Sequence, residues 1–363
     1  MSKRPLIAVF VALLGSGSLY AQNILVASSR SNSIEEFGFT TGTALPSWIR
    51  TFATTGPYAP VALAQNPKTG EIFVTTLWAS GPSIGQLTNR ILRYGKSGSF
   101  DVNWDSFTVV CDVCYTTATQ SLLFDRSGNL LVATAYGDGT ANGPIHIFKY
   151  LAADLTLPNP PAQPNPIIVL MQRGNQMAFN GAGHLCIAGF IDRDVQCFDP
   201  STGAKTAENY HAEILASSVS PGIEPAGLAF DSANRMYLTS VFGGQVVKEV
   251  NPGGPIELLA TLAAPPNQLD GNLVLHAFGS TLCTLCIPCP SCGVPALATS
   301  IFDTAPPTFS TPDTVDAISP TSGAVAKLIH ETAPPALGND HIWGAYWMIF
   351  YSDTTTSLLI PVV

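Results

Sequence analysis

Charge is what this sequence has least of. Only 11% of its 363 residues are Asp, Glu, Lys or Arg, where an ordinary soluble chain carries about a quarter, so disorder sustained by charge repulsion is excluded. Basic residues are the scarcer kind: 16 Lys and Arg face 25 Asp and Glu, a formal net charge of −9. Neither nucleic acid nor an anionic membrane surface attracts such a chain, and no nucleic-acid partner is expected. Long apolar runs are missing as well. Beyond residue 21 no segment offers the roughly 20 unbroken apolar residues of a bilayer-spanning helix, so no membrane span is expected there. Catalytic signatures are thin. The histidines His146, His184, His211, His276, His330 and His341 show no H-E-x-x-H spacing, and no G-x-x-x-x-G-K phosphate loop occurs.

What is present begins with an address. Lys3 and Arg4 precede the apolar run Leu6 to Leu14, which is followed by Gly15 to Ser18 and Leu19-Tyr20-Ala21. A basic start, a short apolar stretch and a small-residue cleavage site predict a secretory signal peptide over residues 1–21 and a secreted or periplasmic protein. Without Lys3 and Arg4 the chain keeps 14 basic against 25 acidic residues, a net charge of −11. Residues 22–363 read as one domain, expected as a monomer.

A repeat sets the architecture. Apolar strand, polar turn with Gly or Asn, second strand, short loop, third strand and Gly-ended turn recur in order. The copies are Ile24–Gly42, Leu63–Gly98, Leu122–Tyr150, Met177–Gly203 and Ala226–Gly254. Gly42 to Gly98 is 56 residues, Gly98 to Gly203 is 105 (two periods) and Gly203 to Gly254 is 51. The step to Gly323 is 69, lengthened by a Cys- and Pro-rich insertion at about 283–313. Turns such as Asp125-Arg126-Ser127-Gly128-Asn129 supply the positive φ that tight strand connections need, and no long helical period competes. A unit of three or four strands every 50 residues or so predicts an all-β fold, a single β-propeller. Hairpin units begin near Ile24, Glu71, Asn129, His184, Arg235 and Thr281, and a seventh is read at Ile349–Ile360. Seven blades are therefore expected, six being the alternative. The first unit lacks its innermost strand, so the two ends of the chain should meet.

The strand–turn–strand segments Gly227–Ser240 and Leu122–Thr134 resemble those of the NHL-repeat and gluconolactonase (senescence-marker) propellers. That resemblance implies blade shape and, for the gluconolactonase-like proteins, a central divalent metal held by acidic and amide side chains. Glu224 before Pro225 and Asp270 before Gly271 match that pattern best, while the family's Glu-Gly-Pro opening in the first blade is absent.

Residues just before each innermost strand should face one mouth of the channel. They give Gln120, Arg173, Asn175, Glu224, Asp270, Asn339, Asp340 and His341 as ligand-binding candidates. Glu224, Asp270 and Asp340 would suit calcium or another hard divalent cation, although Arg173 would bring a cation into the same ring. Loop Asp and Asn residues equally serve turns, and no cofactor is otherwise expected. The C-terminal aromatics Trp343, Tyr346, Trp347, Phe350 and Tyr351 read as packing of the closing blade, or else as a sugar platform.

Export makes the eight cysteines disulfide candidates first. A turn centred between Ile191 and Asp192 would place Cys186 and Cys197 directly opposite, a bridgeable pair. Cys111 and Cys114 form one C-x-x-C, and Cys283, Cys286, Cys289 and Cys292 stand at three-residue intervals. Their pairing stays open. A metal site would draw on both segments only if the two loops share a face. Two functions follow: an exported propeller binding a protein, glycan or small ligand, or a divalent-metal-dependent lactonase-type hydrolase.

Overall fold

The computed structural model describes residues 23–28, 33–38, 58–78, 89–101, 107–109, 119–134, 145–159, 161–170, 174–189, 193–220, 222–231, 233–240, 244–262, 273–276, 296–301, 314–318, 322–330 and 345–351. The expected signal peptide lies outside them.

The first strands are β1 (Asn23–Ser28) and β2 (Ser33–Gly38). A second sheet follows from β3 (Tyr58–Gln65), β4 (Ile72–Trp78), β5 (Asn89–Tyr94) and β6 (Phe107–Val109). The third holds β7 (Thr119–Phe124), β8 (Leu130–Thr134), β9 (Ile145–Tyr150) and β10 (Pro166–Leu170), with α1 (Ala152–Leu155) after β9. The fourth holds β11 (Gly174–Phe179), β12 (Leu185–Gly189), β13 (Asp194–Phe198) and β14 (Lys205–Asn209), followed by α2 (His211–Ala216). The fifth is β15 (Pro225–Phe230), β16 (Met236–Ser240), β17 (Gln245–Glu249) and β18 (Ile256–Thr261). The sixth is β19 (Leu273–His276), β20 (Ala296–Ile301), β21 (Thr314–Ile318) and β22 (Val325–His330), and the final strand is β23 (Ala345–Tyr351). Within the expected insertion at 283–313, Ala296–Ile301 is thus a strand of the sixth sheet.

Each four-stranded sheet is an antiparallel meander, and the first strand of each packs against the first strand of the next: β3 on β7, β7 on β11, β11 on β15, β15 on β19. β23 closes this ring by contacting both β19 and β3. The arrangement is a β-propeller, all-β as the repeat predicts. Of the expected seventh unit only Ile349–Tyr351 are described, and they belong to β23, not to a sheet of their own. β23 pairs with β1, Leu25 opposite Ile349, and makes the order β2-β1-β23. Its sequence supplies the innermost strand that the first unit lacks, so the described strands fall into six sheets, and the first and last described strands meet as expected of the chain ends.

Apolar residues sit between sheets, which explains why the strands read as unbroken apolar runs. β12 sends Leu185 and Ile187 into a layer with Leu131, Ile147 and Met177, and turns Cys186 and Ala188 to a layer with Leu228, Met236 and Leu238. β16 continues the alternation with Tyr237 on its far side against Val246 and Ile318. With a two-residue period, both faces of the fourth and fifth sheets are interior at these strands.

Two polar devices repeat around the ring. The turns after β3, β7, β11 and β15 open on Asn66, Asp125, Asn180 and Asp231, whose side chains accept backbone N–H groups two to four residues on. Gly70, Gly128, Gly183 and Asn234 take the left-handed position of those turns. Each of these innermost strands also shifts register near its start, between Pro60/Ala62, Thr119/Ser121, Gly174/Met177 and Pro225/Leu228. Two sheets cap the backbone there from the second strand: Thr75 Oγ1 accepts from Ala62 N at 3.0 Å and Thr239 Oγ1 from Gly227 N at 2.7 Å. The two between them carry a polar residue on the inner strand and Ala at the Thr position. Ser121 Oγ accepts from Met177 N at 3.2 Å and Gln176 Oε1 from Leu228 N at 3.0 Å, each stitching one sheet to the next.

Candidate ligand-binding mouth

In a four-stranded meander, the innermost strand begins at the end of the ring where the second-to-third connection also lies. The three described candidate residues stand at that end. Gln120 and Asn175 are the second residues of β7 and β11, and Glu224 directly precedes β15. Arg173, Asp270, Asn339, Asp340 and His341 lie outside the described residues.

Glu224 is mostly buried, its side chain 15% exposed, and it is already paired. Arg193 Nη2 donates to Glu224 Oε1 at 2.9 Å, crossing from the fourth sheet to the fifth. Arg193 ends the β12–β13 connection with φ +52°, and His211 Nδ1 donates to its carbonyl at 3.2 Å. The guanidinium passes over Gly222, where an added Cβ would stand 3.4 Å from Nη1. Ser240 Oγ accepts from Glu224 N at 3.1 Å and lies 3.4 Å from the Gly222 carbonyl, to which it donates. Ser240 is flanked in register by Pro225 and Gln245. Gln245 Nε2 donates to Ser220 O at 2.6 Å, while its buried Oε1 has no donor among the described residues. On the fourth sheet the position equivalent to Gln245 is Asp194, buried and bonded to Gln196.

The cation beside Glu224 is therefore Arg193, a residue that no sequence pattern singles out; the cation expected in the ring is Arg173. The pair spans 31 residues and a sheet boundary, and the hairpin position of Arg193 is the one local signal that could have pointed to it.

Cys186 and Cys197 form a disulfide, opposite each other in the β12–β13 register with Cα atoms 4.0 Å apart. The turn geometry read from the sequence is the observed one: Gly189 pairs with Asp194. The other six cysteines lie outside the described residues.

His184 and His146 have structural surroundings. His184 Nδ1 meets Glu208 Oε2 at 2.6 Å, and His146 on β9 sits edge-on to Phe148, with burial lowering its pKa. Gly81-Pro82-Ser83-Ile84-Gly85 spells the G-x-S-x-G of a nucleophile elbow. An elbow needs a strand-to-helix turn; the segment lies outside the described residues, between the antiparallel strands β4 and β5 in sequence. Among the described residues no helix is long and apolar enough to cross a membrane, and no three His, Cys, Asp or Glu side chains gather as metal ligands.

No family model matches the chain, and no curated protein matches it in sequence. Its likenesses are to solved structures. One is a protein of unknown function from Bacteroides caccae, TM-score 0.53 and 14% identity over 91% of this chain and 99% of that one. Another is a chain of a nidogen/laminin complex, TM-score 0.54 and 12% identity over 92% and 99%. A third is puromycin hydrolase, TM-score 0.50 and 10% identity over 85% of this chain but only 43% of that one. At such identities the likeness is one of fold, and the resemblance to NHL and gluconolactonase-like proteins is not extended by it. What the chain shares with these structures is the β-propeller.

Proposed function

We propose that the protein is an exported propeller that binds a ligand at the mouth where the innermost strands begin. The Arg193–Glu224 pair carries the reading. A carboxylate meant for a divalent cation would not ordinarily be held 2.9 Å from a guanidinium, because the two cations would repel across one carboxylate. The same fold is found in a protein complex and in a hydrolase, so fold alone does not choose between binding and catalysis. The arrangement at Glu224 favours binding. Export rests on the basic-then-apolar start at residues 1–21 and agrees with the Cys186–Cys197 disulfide, a bond that persists in an oxidising compartment.

Calcium titration by calorimetry tests this reading, with the intact protein and Glu224→Ala side by side. No stoichiometric heat from either protein is expected. A one-to-one calcium isotherm lost in Glu224→Ala would overturn the reading and return Glu224, Asp270 and Asp340 to the metal-dependent lactonase.

A further inference from the structure

We infer that Arg193 is a ligand-contacting residue of the mouth that anchors a carboxylate group, with Glu224 holding the guanidinium in place until the ligand arrives. This rests on the reading of the mouth as the binding face. Three features hold the residue, two at its backbone and one at its side chain. Its backbone occupies the left-handed region at φ +52°, a conformation uncommon for a residue with a side chain. His211 grips its carbonyl, and Glu224 takes one terminal nitrogen. Yet the side chain remains 43% exposed, and among the described residues Glu224 is its one side-chain partner. A guanidinium presents five N–H groups in a fork that fits a carboxylate through two parallel bonds. Glu224 uses a single one, and the other N–H groups of the fork have no partner among the described residues and can take a second carboxylate.

The other described arginines with assigned partners are committed to the fold. Arg93 is 8% exposed, bonded to Asp101 and to the carbonyls of Leu155 and Leu157. Arg235 gives both Nε and Nη2 to Asp231 within its own turn, at the opposite end of the ring. In a chain with 16 basic residues and net charge −9, a half-exposed guanidinium at the mouth is a local exception that an anionic ligand would seek.

The test uses succinate and its uncharged analogue succinamide, titrated into the full-length protein and followed through arginine Nε–Hε resonances. Succinate is expected to shift one resonance, absent in Arg193→Lys, while succinamide leaves it in place. Glu224→Gln removes the internal competitor and is expected to tighten succinate binding about threefold or more. Its melting temperature is measured alongside, so that an unfolded variant is recognised and Glu224→Ala, which also lacks the carboxylate, replaces it. A resonance that succinate fails to move, or that succinamide or sodium chloride moves equally, overturns the inference. So does binding unchanged in Arg193→Lys, or weakened in Glu224→Gln. A protein silent to both calcium and succinate loses this anchor but keeps the scaffold reading; one that binds calcium through Glu224 loses both.

Discussion

Glu249 shows how a single acidic side chain is used in a chain that has few. It is 1% exposed, at the end of β17, and its carboxylate accepts from Met236 N at 3.1 Å and Gly253 N at 2.5 Å. Burial is the largest influence and raises its pKa above the ordinary 4.5; those backbone donors pull it back without cancelling the rise. The folded state therefore holds this proton more tightly than the unfolded chain. Its contribution to stability is fully present below the unfolded value and is lost as pH rises through the folded one. Urea unfolding between pH 4 and 8 should accordingly show a decline that Glu249→Gln flattens. The variant should also be less stable at low pH by about 1–3 kcal/mol, because an amide NH2 cannot accept from the second N–H donor as a carboxyl oxygen can. Parallel pH profiles for the two proteins would exclude Glu249 as the source. Gly203 makes a different point at the same scale. At φ +72°, an added Cβ there would lie 1.9 Å from the Ile167 carbonyl of the preceding sheet, and Gly323 repeats the approach on Leu259. At these two of the repeat-marking Gly residues, one sheet's turn lies against its neighbour's outer strand.

Among the elements, the β12–β13 hairpin is the most legible. Alternation and turn residues set its centre, and the centre sets which cysteines face each other. Closing this 11-residue separation contributes about 3 kcal/mol on the chain-entropy account. Replacing both Cys186 and Cys197 by Ala should lower the urea midpoint accordingly; an unchanged midpoint would mean the hairpin is equally constrained when unbridged. The seventh unit misleads for a physical reason. A strand such as β23 carries the same apolar pattern whether its partner is the next strand in the chain or one more than 300 residues away, and local sequence encodes pattern, not partner. Arg193 is illegible for a related reason. A side chain that reaches across a sheet boundary obeys no spacing rule, whereas the Asp231 turn, complete within five residues, can be read directly.

At the scale of the whole molecule, the sheets share their interiors. Leu25, Ile34, Leu63, Phe73, Leu122 and Phe124 belong to one buried cluster that spans the first three sheets. β23 borders this cluster through β1 and β3. A chain ending at residue 344 would leave β1 with an open inner edge and the ring unclosed. It should lose its cooperative thermal transition, and limited proteolysis should release fragments cut between residues 38 and 58. A truncated chain that melts like the full one would show that closure is dispensable.

The pairing of β1 with β23 also sets an order of events in time. Residues 23–28 are made early, but their neighbour on the axis side is made some 320 residues later. Until then the β1–β2 hairpin, a unit barely stable alone in water, has an unpaired axis-side edge and rests on its packing against β3. The ring therefore stays open until residues 345–351 emerge, and it closes in one late step.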